Sequence, residues 1–280
     1  MTGLKYLKNS KIERTKAMLR HPNLNGKIAV ITGAGSGIGR AAALQFAGEG
    51  VKVCLLDLDL DHVNSVKAHL EESGGEAIAL KCDINSSHDI KQGIRSASEH
   101  WGGLDIVFAN AGIAGEMAPI ETMNEEDWDR TIHTNLRGTF LTVKHAIPFM
   151  KEHGGSIIIT SSVSGNRIFS QPGYTAYSTS KAGQIALMKM SALELAQYKI
   201  RVNAICPGAI KTHIGDSIHS SMDIKDIEIP VEYPEGDQPL EHGPGQPEQI
   251  ADLVTFLASD LSSHITGTEI YIDGAESLLK

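Results

Sequence analysis

The chain has 280 residues, a formal net charge of −9 at pH 7, 41% hydrophobic residues and 21% charged residues. No stretch approaches the roughly 20 apolar residues that a membrane helix needs. Acidic character disfavours nucleic acid as a partner, because nucleic acid attracts a basic face. Cys54, Cys82 and Cys206 have no metal-ligand spacing, so we expect core cysteines in a reducing, cytoplasmic compartment and no metal site.

The chain begins with a basic segment. Residues 1–23 carry six lysine and arginine residues against one acid, Glu13, and lack the apolar run of a secretory signal. We expect a helix that packs on this subunit or on a neighbour, with a solvated tail and a transit peptide as alternatives. The length of the remainder, residues 24–280, fits a single domain.

A glycine-rich turn follows the first strand candidate. Lys27–Ile31 is a short apolar run, Thr32–Gly39 supplies the turn, and Arg40–Leu44 favours a helix. Strand, glycine turn and helix together place a pyrophosphate at a helix N-terminus. The spacing is Gly-x-x-x-Gly-x-Gly, which differs from the commonest dinucleotide-binding turn.

Asp57 ends the next strand candidate, Val51–Leu56. A carboxylate at that place accepts hydrogen bonds from ribose hydroxyls and repels a 2′-phosphate. No arginine or lysine follows in Leu58–Leu60 to hold such a phosphate. Asp57 therefore favours NAD(H) as the cofactor, and the alternative is an aspartate that caps a helix or shapes a turn.

Strand and helix candidates alternate along the chain. Nearly continuous apolar runs predict strands that are buried on both faces, and helical patterns cover Asn124–Lys151 and Tyr174–Tyr198. The further strand candidates are Ala77–Lys81, Leu104–Phe108, Ser156–Thr160 and Ile200–Ile205. This alternation predicts an α/β fold with a parallel sheet and right-handed crossovers.

Tyr177 and Lys181 are four residues apart near the start of the helix candidate Tyr174–Tyr198. At this spacing both side chains leave one face of a helix, one turn apart. An ammonium beside a phenol favours the phenolate, so we expect the pKa of Tyr177 to fall from about 10 towards neutral pH. The pair predicts a tyrosine that acts as a proton donor and acceptor.

The chain resembles the ordinary, non-extended short-chain dehydrogenases/reductases from about Leu24 to Ser277. The motifs that carry the resemblance are Thr32–Gly39, Asp83, Asn110-Ala111-Gly112, Asn135, Ser161-Ser162, Tyr177-x-x-x-Lys181, Pro207-Gly208 with Thr212, Ile265-Thr266-Gly267 and Asp273-Gly274. The resemblance implies a three-layer, doubly wound Rossmann-type sheet of about seven parallel strands with helices on both faces. It also implies a homotetramer formed through the helices Asn124–Lys151 and Tyr174–Tyr198.

The resemblance assigns four catalytic residues. Tyr177 is expected to exchange a proton with the substrate oxygen, and Lys181 to lower the pKa of Tyr177 and bond the nicotinamide ribose. Ser162 is expected to hold the substrate oxygen, and Asn135 to support a water relay behind Lys181, the alternative for Asn135 being a helix-interior asparagine that bonds backbone. Hydride passes directly between carbon and nicotinamide, so the resemblance implies no metal.

The resemblance also assigns a cofactor-binding set. Asp83 and Ile84 are expected to border the adenine, and the loop Asn110–Gly112 to pass close to the cofactor. Ile210 and Thr212 are expected to bond the nicotinamide carboxamide, with a plain helix cap as the alternative for Thr212. The full set is Gly33, Ser36, Gly37, Ile38, Gly39, Asp57, Asp83, Ile84, Asn110, Ala111, Gly112, Tyr177, Lys181, Pro207, Gly208, Ile210 and Thr212.

Two positions depart from the family pattern. Thirteen residues usually separate the serine from the tyrosine, which selects Ser164, whereas the end of the strand candidate selects Ser162. We favour Ser162 and interpret the difference as an insertion in the loop Asn166–Gly173, because a strand end is fixed better than a loop. Ala275 occupies the place where a second glycine is usual after Asp273-Gly274.

Residues 213–245 are expected to form a lid over the active site, with one lysine, Lys225, against many acids. Most of these acids are expected to be solvated, but an acidic rim disfavours anionic substrates and an acidic carrier protein. The candidate pocket residues are Ile168, Phe169, Gln171 and Tyr174, which indicate a moderately apolar alcohol or ketone.

The sequence thus predicts an NAD(H)-dependent oxidoreductase that interconverts a secondary alcohol and a ketone. The rival is a reductase of 3-oxoacyl thioesters, against which Asp57 argues because biosynthetic reduction usually draws on NADPH. A regulator that senses NAD(H) without catalysis is a third hypothesis, and the filled catalytic set argues against it.

Overall fold

The computed structural model describes residues 21, 23–169, 171–227, 229 and 236–279. Residues 1–20 and 22 of the expected basic extension, and the acids Glu228, Glu232 and Glu235 of the lid, lie outside the described residues.

The described residues form nine strands. They are β1 (Ile28–Thr32), β2 (Lys52–Asp57), β3 (Ala77–Lys81), β4 (Ile106–Ala109), β5 (Glu116–Met117), β6 (Gly155–Thr160), β7 (Ile200–Pro207), β8 (His219–Ser220) and β9 (Glu269–Ile272).

Seven α-helices lie between these strands within the same residues. They are α1 (Gly37–Gly48), α2 (Leu60–Glu72), α3 (Ser87–Trp101), α4 (Glu125–Ile132), α5 (Gly138–Met150), α6 (Thr175–Leu195) and α7 (Pro247–Ala258). Short 3₁₀ turns occupy Val163–Gly165, Ala196–Tyr198, His213–Ser217, Met222–Ile227, Asp260–Ser262 and Glu276–Leu278.

Seven of the strands make one parallel sheet in the order β3-β2-β1-β4-β6-β7-β9. The order reverses between β1 and β4, whose register pairs Ala29 with Ile106. In such sheets ligands bind beyond the carboxyl ends of the strands at the reversal point. The predicted doubly wound fold with about seven strands is confirmed.

Alternate residues of each strand enter two separate cores. Ile28 and Val30 of β1 pack with α3, α5 and α6, whereas Ala29 and Ile31 pack with α1, α2 and α7. Each strand is therefore covered on both faces, which explains its nearly continuous apolar sequence. None of the helices in the described part of the chain is both long and apolar enough to cross a membrane.

Apart from the bounds of single elements, the observed structure differs from the sequence expectation in three respects. The sequence analysis predicts no strand over Glu269–Ile272, because this segment lacks the continuous apolar run of the other strands. Glu269 and Tyr271 alternate with isoleucines there, and all four residues are half-buried. The helix expected over Asn124–Lys151 contains a π-helical turn, His133–Arg137, between α4 and α5. A second, two-stranded sheet pairs β5 with β8.

Candidate active site

The carboxyl end of β6 anchors Lys181. The Lys181 ammonium Nζ donates to the Thr160 carbonyl at 2.9 Å, and Ser161 Oγ donates to the Lys181 carbonyl at 2.9 Å. Lys181 is 2% exposed. The strand end and helix α6 are thus tied at both the backbone and the side chain of this lysine.

Tyr177 lies one turn before Lys181 on the same face of α6, as the four-residue spacing predicts. The Lys181 ammonium is 5.5 Å from the centre of the Tyr177 ring. The Ser162 side chain hydrogen-bonds Tyr177, and Ser162 Oγ also accepts the backbone N–H of Ser164 at 3.1 Å. Of the two serines that the sequence left open, Ser162 is the one whose side chain hydrogen-bonds Tyr177, and its role towards the substrate stays a prediction.

The pKa of Tyr177 is shifted in the direction opposite to our expectation. Burial raises the pKa of Tyr177 to about 12, and the hydrogen bond from Ser162 only partly opposes this effect. Burial also lowers the pKa of Lys181 to about 8. The expectation of a lowered phenol pKa was wrong for this site, because spacing along a helix does not report how deeply the phenol is buried.

Asn135 is fully buried in the π-helical turn. Its side-chain amide accepts the Ile113 N–H and donates to the Ile113 carbonyl, both at 2.9 Å, and donates to Ser180 Oγ at 3.0 Å. The Asn135 carbonyl accepts from Gln184 Nε2 at 2.8 Å. Asn135 thus hydrogen-bonds the backbone, which is the alternative that the sequence left open for it. It does so close to Lys181, since both side chains adjoin Gly112.

The loop Asn110–Gly112 joins the glycine turn to Lys181. The Asn110 amide donates to the carbonyls of Thr32 and Gly33, and Thr160 Oγ1 donates to Asn110 Oδ1 at 3.0 Å. A Cβ on Gly112 would lie 3.0 Å from Asn135 Oδ1 and 3.6 Å from Lys181 Nζ. The two motifs that lie far apart in sequence are therefore neighbours at one edge of the sheet.

The glycine turn precedes α1 in the conformation that glycine permits. Gly33 and Gly37 have φ angles of +66° and +49°, which are unfavourable for residues with a Cβ. Gly39 lies against the Gly33 carbonyl, where a Cβ would collide. Ser36 is the N-cap of α1 without a side-chain cap hydrogen bond, and Ile38 packs partly into the core.

Asp57 faces the glycine turn from the end of β2. Its Oδ2 accepts the Gly35 N–H at 2.9 Å, and its Oδ1 accepts the Asp59 N–H at 3.1 Å. The cap of α2 is Asp59, whose carboxylate accepts from Asp61 and His62. Asp57 is thus a turn residue as well as a group directed at the expected ribose site.

Asp83 and Ile84 follow β3 in the same crevice. Asp83 Oδ1 accepts the Asn85 N–H at 2.9 Å, and Ile84 packs against Gly138 at the start of α5. These two residues bring a carboxylate and an apolar side chain to the end of β3, and their contact with adenine stays a prediction.

A cavity of about 620 Å³ adjoins the glycine turn. Its lining includes Ser36, Gly37 and Thr212, and a Cβ on Gly37 would lie 3.1 Å from Thr212 Cγ2. Thr212 Oγ1 accepts the Ile214 N–H at 3.4 Å, so Thr212 also caps the turn that follows. The glycine cradle, the cavity and the Asp57 carboxylate fit the phosphate and ribose groups of a dinucleotide.

The strand end Pro207–Gly208 leads from β7 into the lid. Ile210 forms a parallel bridge with Gly245, and the Lys211 N–H donates to the Gly245 carbonyl at 2.9 Å. The two ends of the expected lid, residues 213–245, are therefore tied together at their base.

The described part of the lid rests on the segment after β4. Ser221 donates its N–H to the Met117 carbonyl at 3.0 Å, and Thr122 Oγ1 donates to Asp223 Oδ2 at 2.6 Å. The Thr122 hydrogen bond lowers the pKa of Asp223. At least one lid acid is therefore bonded rather than simply solvated.

The four candidate pocket residues have different surroundings. Tyr174 packs edge-to-face on Tyr177 with ring centres 5.7 Å apart, and burial raises its pKa. Ile168 is 3% exposed and belongs to the interior, whereas Phe169 is 68% exposed and Gln171 is also exposed. Tyr174 therefore adjoins the candidate catalytic tyrosine. Ile224 of the lid lies so close to Gly173 that a Cβ on this glycine would collide with it.

Sequence reasoning missed the polar residues that support the site. Gln184 and Ser180 hold Asn135, and Ser161 holds the backbone of Lys181. Gln184 and Ser180 share one face of α6 with Tyr177 and Lys181, which is the signal that could have found them. Within the described ranges, no group of three or more histidine, cysteine or acidic side chains is arranged to hold a metal ion.

The comparisons with known proteins agree with this geometry. A family model described as enoyl-(acyl carrier protein) reductase matches residues 33–275. The 3-oxoacyl-[acyl-carrier-protein] reductase FabG of Thermotoga maritima is 38% identical over 253 residues, which cover 90% of this chain and 98% of that protein. The cyclohexanol dehydrogenase of Acinetobacter sp. strain SE19 is 35% identical over 252 residues, covering 90% and 95%.

Solved structures give the same result. A 3-ketoacyl-ACP reductase from Sinorhizobium meliloti 1021 is 44% identical with a TM-score of 0.87, covering 90% of this chain and 100% of its own. A 3-ketoacyl-(acyl-carrier-protein) reductase from Brucella melitensis, solved with NADH, is 31% identical with a TM-score of 0.80, covering 91% and 100%. The chain is therefore an oxidoreductase acting on CH–OH groups and a member of the short-chain dehydrogenase/reductase family.

Proposed function

We propose that this protein is an NAD(H)-dependent oxidoreductase that interconverts a secondary alcohol and a ketone, with Tyr177 as the general acid and base. The observation that carries the proposal is the gathering of Ser162, Tyr177 and Lys181 at the end of β6, joined by the loop Asn110–Gly112 to the glycine turn. A bound nicotinamide supplies the hydride acceptor or donor.

The cofactor preference rests on Asp57. The hydrogen bond from the Gly35 N–H holds the Asp57 carboxylate against the glycine turn. In this position the carboxylate would accept hydrogen bonds from ribose hydroxyls and would repel a 2′-phosphate. The NADH in the Brucella melitensis relative supports the same cofactor. The remaining contacts that we propose are those of the glycine turn, Asp83-Ile84, the loop Asn110–Gly112 and the segment Pro207–Thr212.

Tyr177 holds or releases a proton at its phenolic oxygen. With a pKa raised to about 12, it is a neutral phenol at neutral pH and is ready to donate to a carbonyl oxygen. For alcohol oxidation Tyr177 must be a phenolate before it accepts the alcohol proton; the hydrogen bond from Ser162 favours that form, and burial opposes it. Ser162 also orients the substrate oxygen beside Tyr177.

A reductase of 3-oxoacyl thioesters is the second candidate. It is favoured by the identity of 44% to the Sinorhizobium meliloti reductase and of 38% to the Thermotoga maritima reductase. Asp57 opposes it, since thioester reduction in biosynthesis usually draws on NADPH, but the NADH bound to the Brucella melitensis 3-ketoacyl reductase weakens this objection. The lid acids Asp223 and Asp226 also oppose docking of an acidic carrier protein.

We further propose a homotetramer in the cytoplasm, with residues 24–280 as one domain and residues 213–245 as its lid. The free, buried state of Cys54, Cys82 and Cys206 supports a reducing compartment. The exposed apolar side chains Met190 and Leu193 on α6 support an interface between subunits.

The test is a panel of cyclic and acyclic secondary alcohols, their ketones and a 3-oxoacyl thioester, followed at the absorbance of reduced nicotinamide with NAD(H) and NADP(H). We expect the highest kcat/KM for an uncharged alcohol or ketone with NAD(H). A preference for the thioester, with either cofactor, would establish the second candidate instead.

Tyr177→Phe, measured with the same panel, tests the proposed role of Tyr177. The change keeps the ring and removes only the hydroxyl, so we expect kcat to fall by a factor of about 10²–10⁴ while NADH still binds. Activity within about tenfold of the parent enzyme would remove Tyr177 from the proposed role.

A further inference from the structure

Glu276 is a buried carboxylate that the proposed reaction does not use. It is 5% exposed and lies in the 3₁₀ turn after β9. Its Oε2 accepts the backbone N–H of Ala209 at 2.9 Å and Gln238 Nε2 at 3.3 Å. Burial of a carboxylate is costly unless such hydrogen bonds compensate it, so its position is strongly specified.

Gln238 completes the attachment of Ala209. This side chain is 2% exposed, and its Nε2 donates to the Ala209 carbonyl at 2.8 Å. The same carbonyl accepts the Gly245 N–H at 3.0 Å. Both backbone polar groups of Ala209 are thus held by side chains, one from the C-terminal turn and one from the far end of the lid.

The C-terminal turn is shaped so that Glu276 reaches this position. Asp273 accepts the N–H groups of Ala275 at 3.2 Å and Ser277 at 2.9 Å. Gly274 and Ala275 both have positive φ angles, +58° and +71°. Two consecutive left-handed residues, one of them not glycine, reverse the chain and direct Glu276 at Ala209.

The contact also constrains Gly208. A Cβ on Gly208 would lie 2.5 Å from Glu276 Oε2 and 2.8 Å from Asp273 Cβ. The C-terminal turn therefore packs directly on the strand end Pro207–Ala209, with no room for a side chain between them.

We propose that Glu276, together with Gln238, is a positioning residue that fixes the segment Pro207–Ile210 for the nicotinamide half of the cofactor. The inference rests on the proposed function, which places the nicotinamide at this segment. Glu276 and Gln238 do not touch the cofactor; they act through the backbone of Ala209. The same contacts link the lid base and the C-terminal turn to the cofactor site.

The experiment compares the affinities for NADH and for ADP-ribose, which lacks the nicotinamide. Binding of both is measured by calorimetric titration for the parent enzyme, Glu276→Ala, Glu276→Gln and the surface control Glu72→Gln on α2. We expect Glu276→Ala to weaken NADH binding about tenfold and ADP-ribose binding less than about twofold. Glu276→Gln keeps an acceptor oxygen for the Ala209 N–H and should recover most of the NADH affinity.

A second variant, Gln238→Met, removes the amide that donates to the Ala209 carbonyl and to Glu276, and leaves the residues of the C-terminal turn unchanged. If Glu276→Ala does not fold, Gln238→Met carries the test by the same selective loss of NADH affinity and by a raised KM for NADH, while Glu276→Gln should stay close to the parent enzyme. Unchanged NADH affinity, or equal weakening of NADH and ADP-ribose, would overturn the inference. A parent enzyme that binds neither molecule would instead refute the proposed function.

Discussion

Asp57 and Asp59 are two neighbouring carboxylates with different tasks. Asp59 accepts the N–H groups of Asp61 and His62 and so caps α2, whereas Asp57 accepts the Gly35 N–H of the glycine turn. The sequence offered both interpretations for Asp57, and they can be separated because each aspartate has its own hydrogen-bond partners.

Asp57→Ala should remove the preference for NAD over NADP. Without the carboxylate, ribose hydroxyls lose an acceptor and a 2′-phosphate is no longer repelled, so the NAD/NADP ratio of kcat/KM should fall by about tenfold or more. Asp59→Ala is the matched control, which should lower the melting temperature and leave this ratio unchanged. A ratio that survives in Asp57→Ala would exclude the ribose contact.

Lys181 should make the stability of the ligand-free protein depend on pH. Its pKa is lowered from 10.5 to about 8 by burial, so between these values the unfolded state binds more protons than the folded state. Below pH 8 the buried ammonium lowers the free energy of unfolding by its full amount. This destabilisation is lost, and the protein becomes more stable, as pH rises from about 8 towards 10.5.

Lys181→Met removes this titration. The free energy of unfolding of the parent minus that of the variant should therefore increase by about 1 kcal/mol or more from pH 7.5 to pH 9.5, measured by urea denaturation. The half-buried control Lys67→Met, on the surface of α2, should give a flat difference. If the difference in unfolding free energy between the parent and Lys181→Met stays flat or declines with pH, burial does not lower the pKa of Lys181.

In the C-terminal turn, local sequence and structure conflict. Ala275 stands where the family usually has glycine, and its φ of +71° is one that an alanine adopts only with strain. The turn Asp273–Glu276 persists because the Asp273 carboxylate and the packing of Glu276 on Ala209 over-determine it.

Ala275→Gly should stabilise the protein. Glycine adopts the left-handed conformation without a Cβ clash, so we expect a gain of about 1 kcal/mol in the free energy of unfolding and a higher melting temperature. Ala68→Gly, the same change inside the exposed face of α2, should instead destabilise by about 1 kcal/mol. Destabilisation at both positions would contradict the strained conformation of Ala275.

The helix spanning α4 and α5 was predicted as one element but could not be predicted in detail. A helical pattern covers it from end to end, yet the π turn at Asn135 depends on contacts with Ile113, Ser180 and Gln184, which come from other parts of the chain. Such turns recur at functional sites because they redirect one side chain.

At the scale of the whole molecule, the outer faces of α5 and α6 carry exposed apolar side chains. Met190 and Leu193 on α6 are 57% and 75% exposed, and Phe140 on α5 is 44% exposed. Apolar side chains grouped on a helix face favour burial against another subunit.

The double variant Met190→Asp/Leu193→Asp should dissociate the proposed homotetramer. Charged side chains at both positions oppose burial in an interface, so sedimentation velocity should show species smaller than the parent. Leu60→Asp, on α2 beside the edge strand β3, should sediment like the parent. A double variant that remains tetrameric would place the interface elsewhere.

The sequence by itself determined the fold class, the family and the order of the motifs. Buried strands, the glycine turn and the Tyr177-x-x-x-Lys181 spacing are local patterns, so they are legible without knowledge of distant contacts. The boundaries of β1, β2 and β4 shifted by one or two residues, because strand ends depend on the pairing partner.

Only the tertiary structure decided how these parts act on each other. The contact of Ser162 with Tyr177, the raised pKa of Tyr177 and the attachment of Ala209 by Gln238 and Glu276 all depend on burial and on segments far apart in the chain. Desolvation and hydrogen bonding are properties of the assembled environment, and residue type and spacing do not contain them.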